Sequence, residues 1–361
     1  MKSIVTRVVL SFLTLVAMCG VARADGMWVN CNRTSGYYQY FDSATIQVGK
    51  DATVGDVLGT WVNSYNPTAW TCSHRPIYQS YAVPMTVQGS PPYTTWSNIQ
   101  VDGQGYTVYN VPGTPGLGYI ARWRYAAKGQ TSDWYPLTVG PGVYQTPTQL
   151  FTMTDDGSSW NLGADVQIRF VKTSTSLTAG NVPIFDPIYM RHYQVYGGSY
   201  FTGTGTYMIA QLLASSVVIS TTGGTCTTSD VTVNLPPVSR TDFSGVGYTA
   251  ARTDFNLNFT NCPAGLSSIS YLFTPTTAII NNSNGVFSLA SASTASGVGI
   301  QLLNNQDIPL LFNTTYLLTD YDPTQNNANY TVPLRAGLYQ TETNVSSGTV
   351  NGAVTFTLVY K

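Results

Sequence analysis

Two histidines, His74 and His192, and one adjacent carboxylate pair, Asp155 and Asp156, are the first places to look for catalysis in this chain. A three-histidine zinc site is out of reach for a single copy, and no HExxH, G-x-S-x-G or GxGxxG run occurs. Asp155-Asp156-Gly157-Ser158-Ser159 reads first as a turn, with a glycosidase or cation role as the alternative. Neighbouring carboxylates do not by themselves set the separation that acid and base work needs. The expectation is a chain with no enzymatic activity, no metal and no cofactor.

Binding chemistry is better represented. Tyr119-Ile120-Ala121-Arg122-Trp123-Arg124-Tyr125 alternates Tyr119, Ala121, Trp123 and Tyr125 with a second set that contains Arg122 and Arg124. A polar loop follows and leads into Ser132-Asp133-Trp134-Tyr135. Sugar rings have apolar faces and hydroxyl rims, so aromatic planes beside short polar side chains suit a carbohydrate. The candidate ligand residues are Trp123, Arg122, Arg124, Asp133, Trp134 and Tyr135, with His74 and Arg75 from Cys72-Ser73-His74-Arg75-Pro76. Each has a plainer reading: core packing for Trp123, core or rim for Trp134 and Tyr135, a solvated strand face for the two arginines, and a structural turn for His74-Arg75. Planar guanidinium donors also suit an acidic sugar or a carboxylate.

These residues must be positioned by strands. Glu342 is the only Glu, Lys is sparse, and Tyr, Thr, Asn and Gly are abundant. That composition lacks the material for long helices and suits strands and turns. Short extended runs include Met27–Cys31, Tyr37–Phe41, Ala44–Val48, Met85–Val87, Gly105–Tyr109, Val166–Val171 and Pro187–Tyr196, punctuated by Pro-Gly and Gly-Pro steps. Thr206–Ile219 reads as one long last strand. The expected fold is all-β, with an amino-terminal β-sandwich or jelly roll over residues 25–220.

Residues 1–24 read as a secretory signal: Lys2 and Arg7 lead, Val8–Cys19 is mainly apolar, and Ala22-Arg23-Ala24 supplies the cleavage pattern that leaves Asp25 first. Of the five cysteines Cys19 falls in that signal, leaving Cys31, Cys72, Cys226 and Cys262. In an exported chain an even count fits two disulfides, and the sequence gaps favour Cys31 with Cys72 and Cys226 with Cys262. Removing Lys2, Arg7 and Arg23 takes the formal net charge from −1 to about −4. No basic cluster tracks a phosphate backbone, which argues against nucleic acid, and no later apolar run nears the roughly 20 residues that span a bilayer.

After Ser220 the character changes. Thr221-Thr222-Gly223-Gly224-Thr225 reads as a hinge, and residues 226–361 as a second domain. Thr228–Leu235 alternates with Val231, Val233 and Leu235 on one side, and Phe255, Leu257 and Phe259 point inward in the next strand. The final run, Gly352–Lys361, alternates Val354, Phe356, Leu358 and Tyr360 with mostly small polar residues. Such a strand has to be paired within its domain, closed off, or completed by another polypeptide.

Five blocks in order carry a family resemblance: Cys226 with Asp230–Pro236, Asn261-Cys262-Pro263, Gly297–Leu303, Pro333–Tyr339, and Gly352–Tyr360. Together they resemble the pilin domain of chaperone-usher fimbriae, in particular that of two-domain tip adhesins such as the mannose-binding one of type 1 fimbriae. The amino-terminal part is similar to the family's lectin domains in length, position, disulfide use and composition, with a weak likeness to the F17-type lectins.

The resemblance implies an incomplete Ig-like pilin domain that lacks its seventh strand. A periplasmic chaperone donates a strand first, and the adjacent fimbrial subunit replaces it after passage through the outer-membrane usher. Val354, Phe356, Leu358 and Tyr360 would line the acceptor groove, the Lys361 carboxylate would meet basic residues of the chaperone, and Gly352 matches the family's terminal glycine. A domain and hinge stand where major subunits carry a donor extension, which implies a place at the fimbrial tip on the cell surface. The expected function is a tip adhesin for a host-cell or surface carbohydrate. The alternatives are a tip or adaptor subunit that binds protein, and an exported polysaccharide-processing enzyme. The mature start Asp25-Gly26-Met27-Trp28 lacks the mannose-specific adhesin's amino-terminal Phe, so neither mannose nor its binding residues are carried over.

Overall fold

The computed structural model describes residues 28–74, 79–82, 85–89, 94–140, 143–145, 150–153, 159–196, 199–221 and 223–361. The signal segment, Arg75 and the Asp155-Asp156 pair lie outside the described residues, as does the side chain of His74. The described chain is β throughout except for one 3-10 turn, Arg240–Asp242.

The amino-terminal part is organised by one large sheet. Its main path runs Tyr38–Tyr40, Ser199–Leu212, Phe185–Tyr196, Trp28–Arg33, Val57–His74, Trp160–Lys172, Leu117–Ala127, Gln104–Asn110, Thr95–Val101. All neighbours are antiparallel except the first pair. The central Trp160–Lys172 strand lies between two long partners and packs Leu162, Val166, Ile168 and Phe170 into the core. Two smaller sheets complete this part, one joining Gly180–Asn181, Val217–Ser220 and Ala44–Gln47, the other Leu150–Met153 and Gln79–Ala82.

Pro67 sits inside the long Val57–His74 strand, where it cannot donate to the ladder. The register accordingly shifts between Leu162 opposite Trp70 and Ala164 opposite Asn66, a bulge at the proline. Gly163 fills that place because a Cβ there would lie 2.0 Å from the Asn66 carbonyl oxygen. The predicted single strand over Thr206–Ile219 is broken. The chain leaves the sheet at Leu212, turns through Ser215 with φ 63°, and re-enters a different sheet as Val217–Ser220. Helix and strand propensity of single residues carry no information about which sheet a segment joins, so this break was not visible locally.

The carboxy-terminal part has its own core, built around Leu257, Phe259, Ile269, Phe273, Leu302, Phe312 and Leu334. A six-stranded sheet ordered Thr227–Thr228, Thr249–Cys262, Ala328–Gln340, Val298–Asn304, Val286–Phe287, Ile279–Asn281 faces a three-stranded sheet, Tyr316–Leu317, Ile269–Pro275, Val354–Tyr360. This is an Ig-like sandwich. Both disulfides form as the spacing favoured: Cys31–Cys72 between directly opposed residues of neighbouring strands, and Cys226–Cys262 at the start of the second core. Leu257 and Phe259 are buried, and Phe255 packs partly against them. The predicted Thr228–Leu235 strand is reduced to Thr227–Thr228; residues 229–238 lie outside any strand, and Val231 is 41% exposed.

Candidate functional site

Register across three neighbouring strands decides which side chains share a face. Ser64, Val166 and Trp123 stand opposite one another, as do Asn63, Gln167 and Arg122 one step along, and Tyr65, Asp165 and Arg124 on the other side. Successive residues of a strand point to opposite faces, so the first row and the other two lie on opposite sides of the sheet. Trp123 is fully buried in the core and packs on Tyr135, with ring centroids 5.0 Å apart. It is therefore a core residue, which corrects its place among the ligand residues. Tyr135 is half-buried beside it, paired in the ladder opposite Trp123.

The outer face carries a ladder of alternating aromatics and cations. The Arg122 guanidinium lies 4.2 Å from the Trp61 ring centroid and 4.6 Å from that of Trp134, and the Arg124 guanidinium lies 4.6 Å from Trp134. Arg122 Nε donates to Gln167 Oε1 at 2.7 Å. Arg124 Nε and Nη2 both donate to Asp165 Oδ2, at 3.0 and 2.7 Å. Asp165 is 5% exposed, and its Oδ1 is buried without a partner. Arg169, on the same strand as Asp165 and Gln167, donates from Nε to the Gly59 carbonyl at 2.9 Å. Burial holds the Arg169 guanidinium below its ordinary value, Asp102 opposes that shift and Arg122 adds to it. Burial likewise raises the Tyr106 phenol against the pull of Arg122.

Of the candidate ligand residues, the fold brings Arg122, Arg124 and Trp134 together. Asp133 is exposed on the adjoining loop, and His74 lies opposite Val29 at the end of its strand. Trp61, Asp165 and Gln167 were missed, because each reaches the cluster from another strand and nothing local to its own segment announces that. Among the described residues, no group of three or more His, Cys, Asp or Glu could hold a metal ion.

The second site is an open strand edge. Val354–Tyr360 pairs along one side with Ile269–Pro275, from Ile269 opposite Tyr360 to Pro275 opposite Val354. Among the described residues no strand pairs its other side. Val354, Phe356 and Leu358 pack against the second core yet stay half-exposed, Tyr360 is buried, and Thr355 and Thr357 face out. Phe356 lies 6.1 Å from Phe259, measured between ring centroids. Gly352 lets the chain pass close over the core, since a Cβ there would lie 2.5 Å from the Ile300 Cδ1.

The end of this strand is tied to the amino-terminal part. Asp51 N–H donates to the Tyr360 carbonyl at 3.2 Å, Tyr360 N–H returns a bond to Asp51 Oδ2 at 3.1 Å, and Gln47 N–H donates to the Gly265 carbonyl at 3.1 Å. Lys361 Nζ lies 3.0 Å from Asp56 Oδ1, and the Lys361 carbonyl oxygen accepts from the Ser267 and Ser268 amides. Burial pushes the Asp56 carboxyl up, but hydrogen bonds from Thr53 and Lys361 outweigh it and hold the group below its ordinary 3.8. A carboxyl depressed on folding stabilises at every pH above its unfolded value and loses that contribution as pH falls through the folded value. The joint is therefore expected to stay closed at pH above the ordinary carboxyl value of 3.8 and to loosen as pH falls below it. X-ray scattering should show an unchanged radius of gyration over the first range and an increase over the second. Asp56→Asn should remove the acid step; an acid step unchanged in that variant would disprove the assignment.

Comparison with known proteins bears on the carboxy-terminal part. The Fimbrial protein family model matches residues 212–361. The major fimbrial subunit SMF-1 of Stenotrophomonas maltophilia is 39% identical over 94 residues, 26% of this chain and 52% of that protein. Protein FhaE of Bordetella pertussis is 32% identical over 145 residues, 38% of this chain and 37% of that one. The match thus spans about half the length of the first relative and less of the second. The CupB6 tip adhesin of Pseudomonas aeruginosa superposes over 92% of this chain and 94% of its own with a TM-score of 0.34 and 17% identity. The carboxy-terminal part is thus an Ig-like sandwich with an open edge, in a segment that matches the Fimbrial protein family model. That match covers 150 of the 361 residues.

Proposed function

We propose that the chain is a fimbrial tip adhesin. Residues 25–220 bind a host-cell or surface glycan, 221–225 form a hinge, and 226–361 attach the protein to the fimbria by accepting a donor strand. A periplasmic chaperone supplies that strand first, and the adjacent subunit supplies it after export through the outer-membrane usher to the cell surface. The role is adhesion, with no catalysis.

One observation carries this reading: the Val354–Tyr360 strand has an unpaired edge lined by half-exposed Val354, Phe356 and Leu358, while residues 229–238 form no strand. An inserted strand supplies hydrogen-bond partners for the bare edge and covers the apolar side chains in one step. Full burial of one large apolar side chain is worth about 1.5–3 kcal/mol, and these three gain a fraction of that each. Phe356→Asp combined with Leu358→Asp should sharply reduce recovery of the chain with a co-expressed fimbrial chaperone. Thr355→Asp, on the outward face of the same strand, should leave recovery nearly unchanged. Equal recovery of the two variants would sink the groove reading.

A further inference from the structure

The ladder on the outer face of the amino-terminal sheet has an unbalanced charge. Arg124 is matched by Asp165, but Arg122 and Arg169 meet neutral partners, Gln167 Oε1 and the Tyr106 phenol for Arg122 and the Gly59 carbonyl for Arg169. Neither of these two guanidiniums has an ion pair among the described residues. Asp102 acts on Arg169 through space without pairing to it. That attraction outweighs the repulsion between Arg169 and Arg122, so Arg122 is the half-buried cation left without a facing carboxylate, and an anion there would offset its burial. Arg122 is also held in place from two sides, by Trp61 and Trp134, and anchored at Nε. The guanidinium so held needs no rotamer search before it meets a ligand.

We infer that this ladder binds an acidic saccharide, with a carboxylate or sulfate taken by the Arg122 guanidinium and the sugar lying along the exposed edge of the Trp134 indole. The inference rests on the reading that the amino-terminal domain binds a glycan, and it names the glycan's class. Partial burial strengthens a charge-assisted hydrogen bond relative to one on an open surface. The half-exposed indole edge beside the cation favours a ligand that carries apolar C–H surface next to its acid group, as a pyranose does, over a flexible acidic peptide. The arrangement also gives a chain of overall negative charge one place where an anion is drawn in.

The test is equilibrium binding of the purified full chain to four immobilised probes: a heparin oligosaccharide, a sialic-acid-terminated trisaccharide, chitotriose and a polyglutamate peptide. At least one acidic saccharide should bind, and more weakly as salt is raised. Arg122→Gln and Trp134→Leu should each weaken that binding by at least about tenfold, with the unfolding midpoint followed in parallel. Arg122→Lys should recover only part of it, since an ammonium lacks the planar fork. Arg240→Gln, an exposed arginine on the carboxy-terminal part, should change nothing. Binding to chitotriose alone overturns the inference and leaves the adhesin reading standing. Polyglutamate bound as well as the saccharides shows that the face reads acidic protein. No binding to any probe overturns the inference and counts against the glycan reading itself. Acidic-saccharide binding unaffected by the Arg122 and Trp134 variants removes the site from this face.

Discussion

Trp123→Ala is expected to lower the stability of the amino-terminal part by about 3–5 kcal/mol, the usual cost of deleting a large aromatic from a closed core. Trp123 has no exposed surface, lies in the row with Ser64 and Val166, and packs on Tyr135. Its Nε1 has no hydrogen-bond partner, so the loss is one of packing and apolar burial. Trp134 is half-exposed and held by two guanidiniums, and Trp134→Ala should cost about 1–2 kcal/mol, the sum of two such contacts near the surface. The two tryptophans lie eleven residues apart in sequence, yet one should report on folding and the other on binding. Denaturant unfolding of the full chain, read by near-ultraviolet circular dichroism, checks the difference. The two cores need separate transitions in the fit, because a single two-state description does not cover both. Comparable losses for Trp123→Ala and Trp134→Ala would contradict the assignment of faces.

Arg124→Ala should destabilise the same part by about 3–5 kcal/mol, because it leaves a buried carboxylate without its cation. Both donors of Arg124 converge on Oδ2 of Asp165, whose side chain is 7% exposed and whose Oδ1 already lacks a partner. Water has little access to take over. The double variant Arg124→Leu with Asp165→Leu should recover most of the loss, since removing both charges together removes the desolvation cost with the attraction. The pattern expected is a severe single variant and a mild double one. If Arg124→Ala costs under about 1 kcal/mol, the range of an exposed pair, then Asp165 is hydrated and the pair is ornamental.

Several features were legible locally. Val354–Tyr360 forms as a strand over the stretch its alternation marked, because a two-residue period is written into consecutive residues. The inward set Phe255, Leu257 and Phe259 follows the same logic. Where the local pattern misled, a partner decided the outcome. Val231, Val233 and Leu235 alternate as well as any strand here, but a strand exists only where its backbone groups are paired, and residues 229–238 form none. Arg122 and Arg124 were read as a candidate face from their spacing, while Trp61, Asp165 and Gln167 were invisible. These three arrive through the register of two further strands, and register is a property of pairs of segments.

By itself the sequence determined that the chain is all-β, which cysteines pair, and that the Val354–Tyr360 strand has one apolar face. Each of those follows from composition, spacing or period, which are properties of short stretches. The tertiary structure alone decided that Trp123 belongs to the core while Trp134 stands between two cations. It alone also decided that, among the described residues, no strand pairs the far edge of Val354–Tyr360, and that its end is tied to Asp51 and Asp56. Those facts depend on which distant strands become neighbours, and burial and charge compensation exist only once they do.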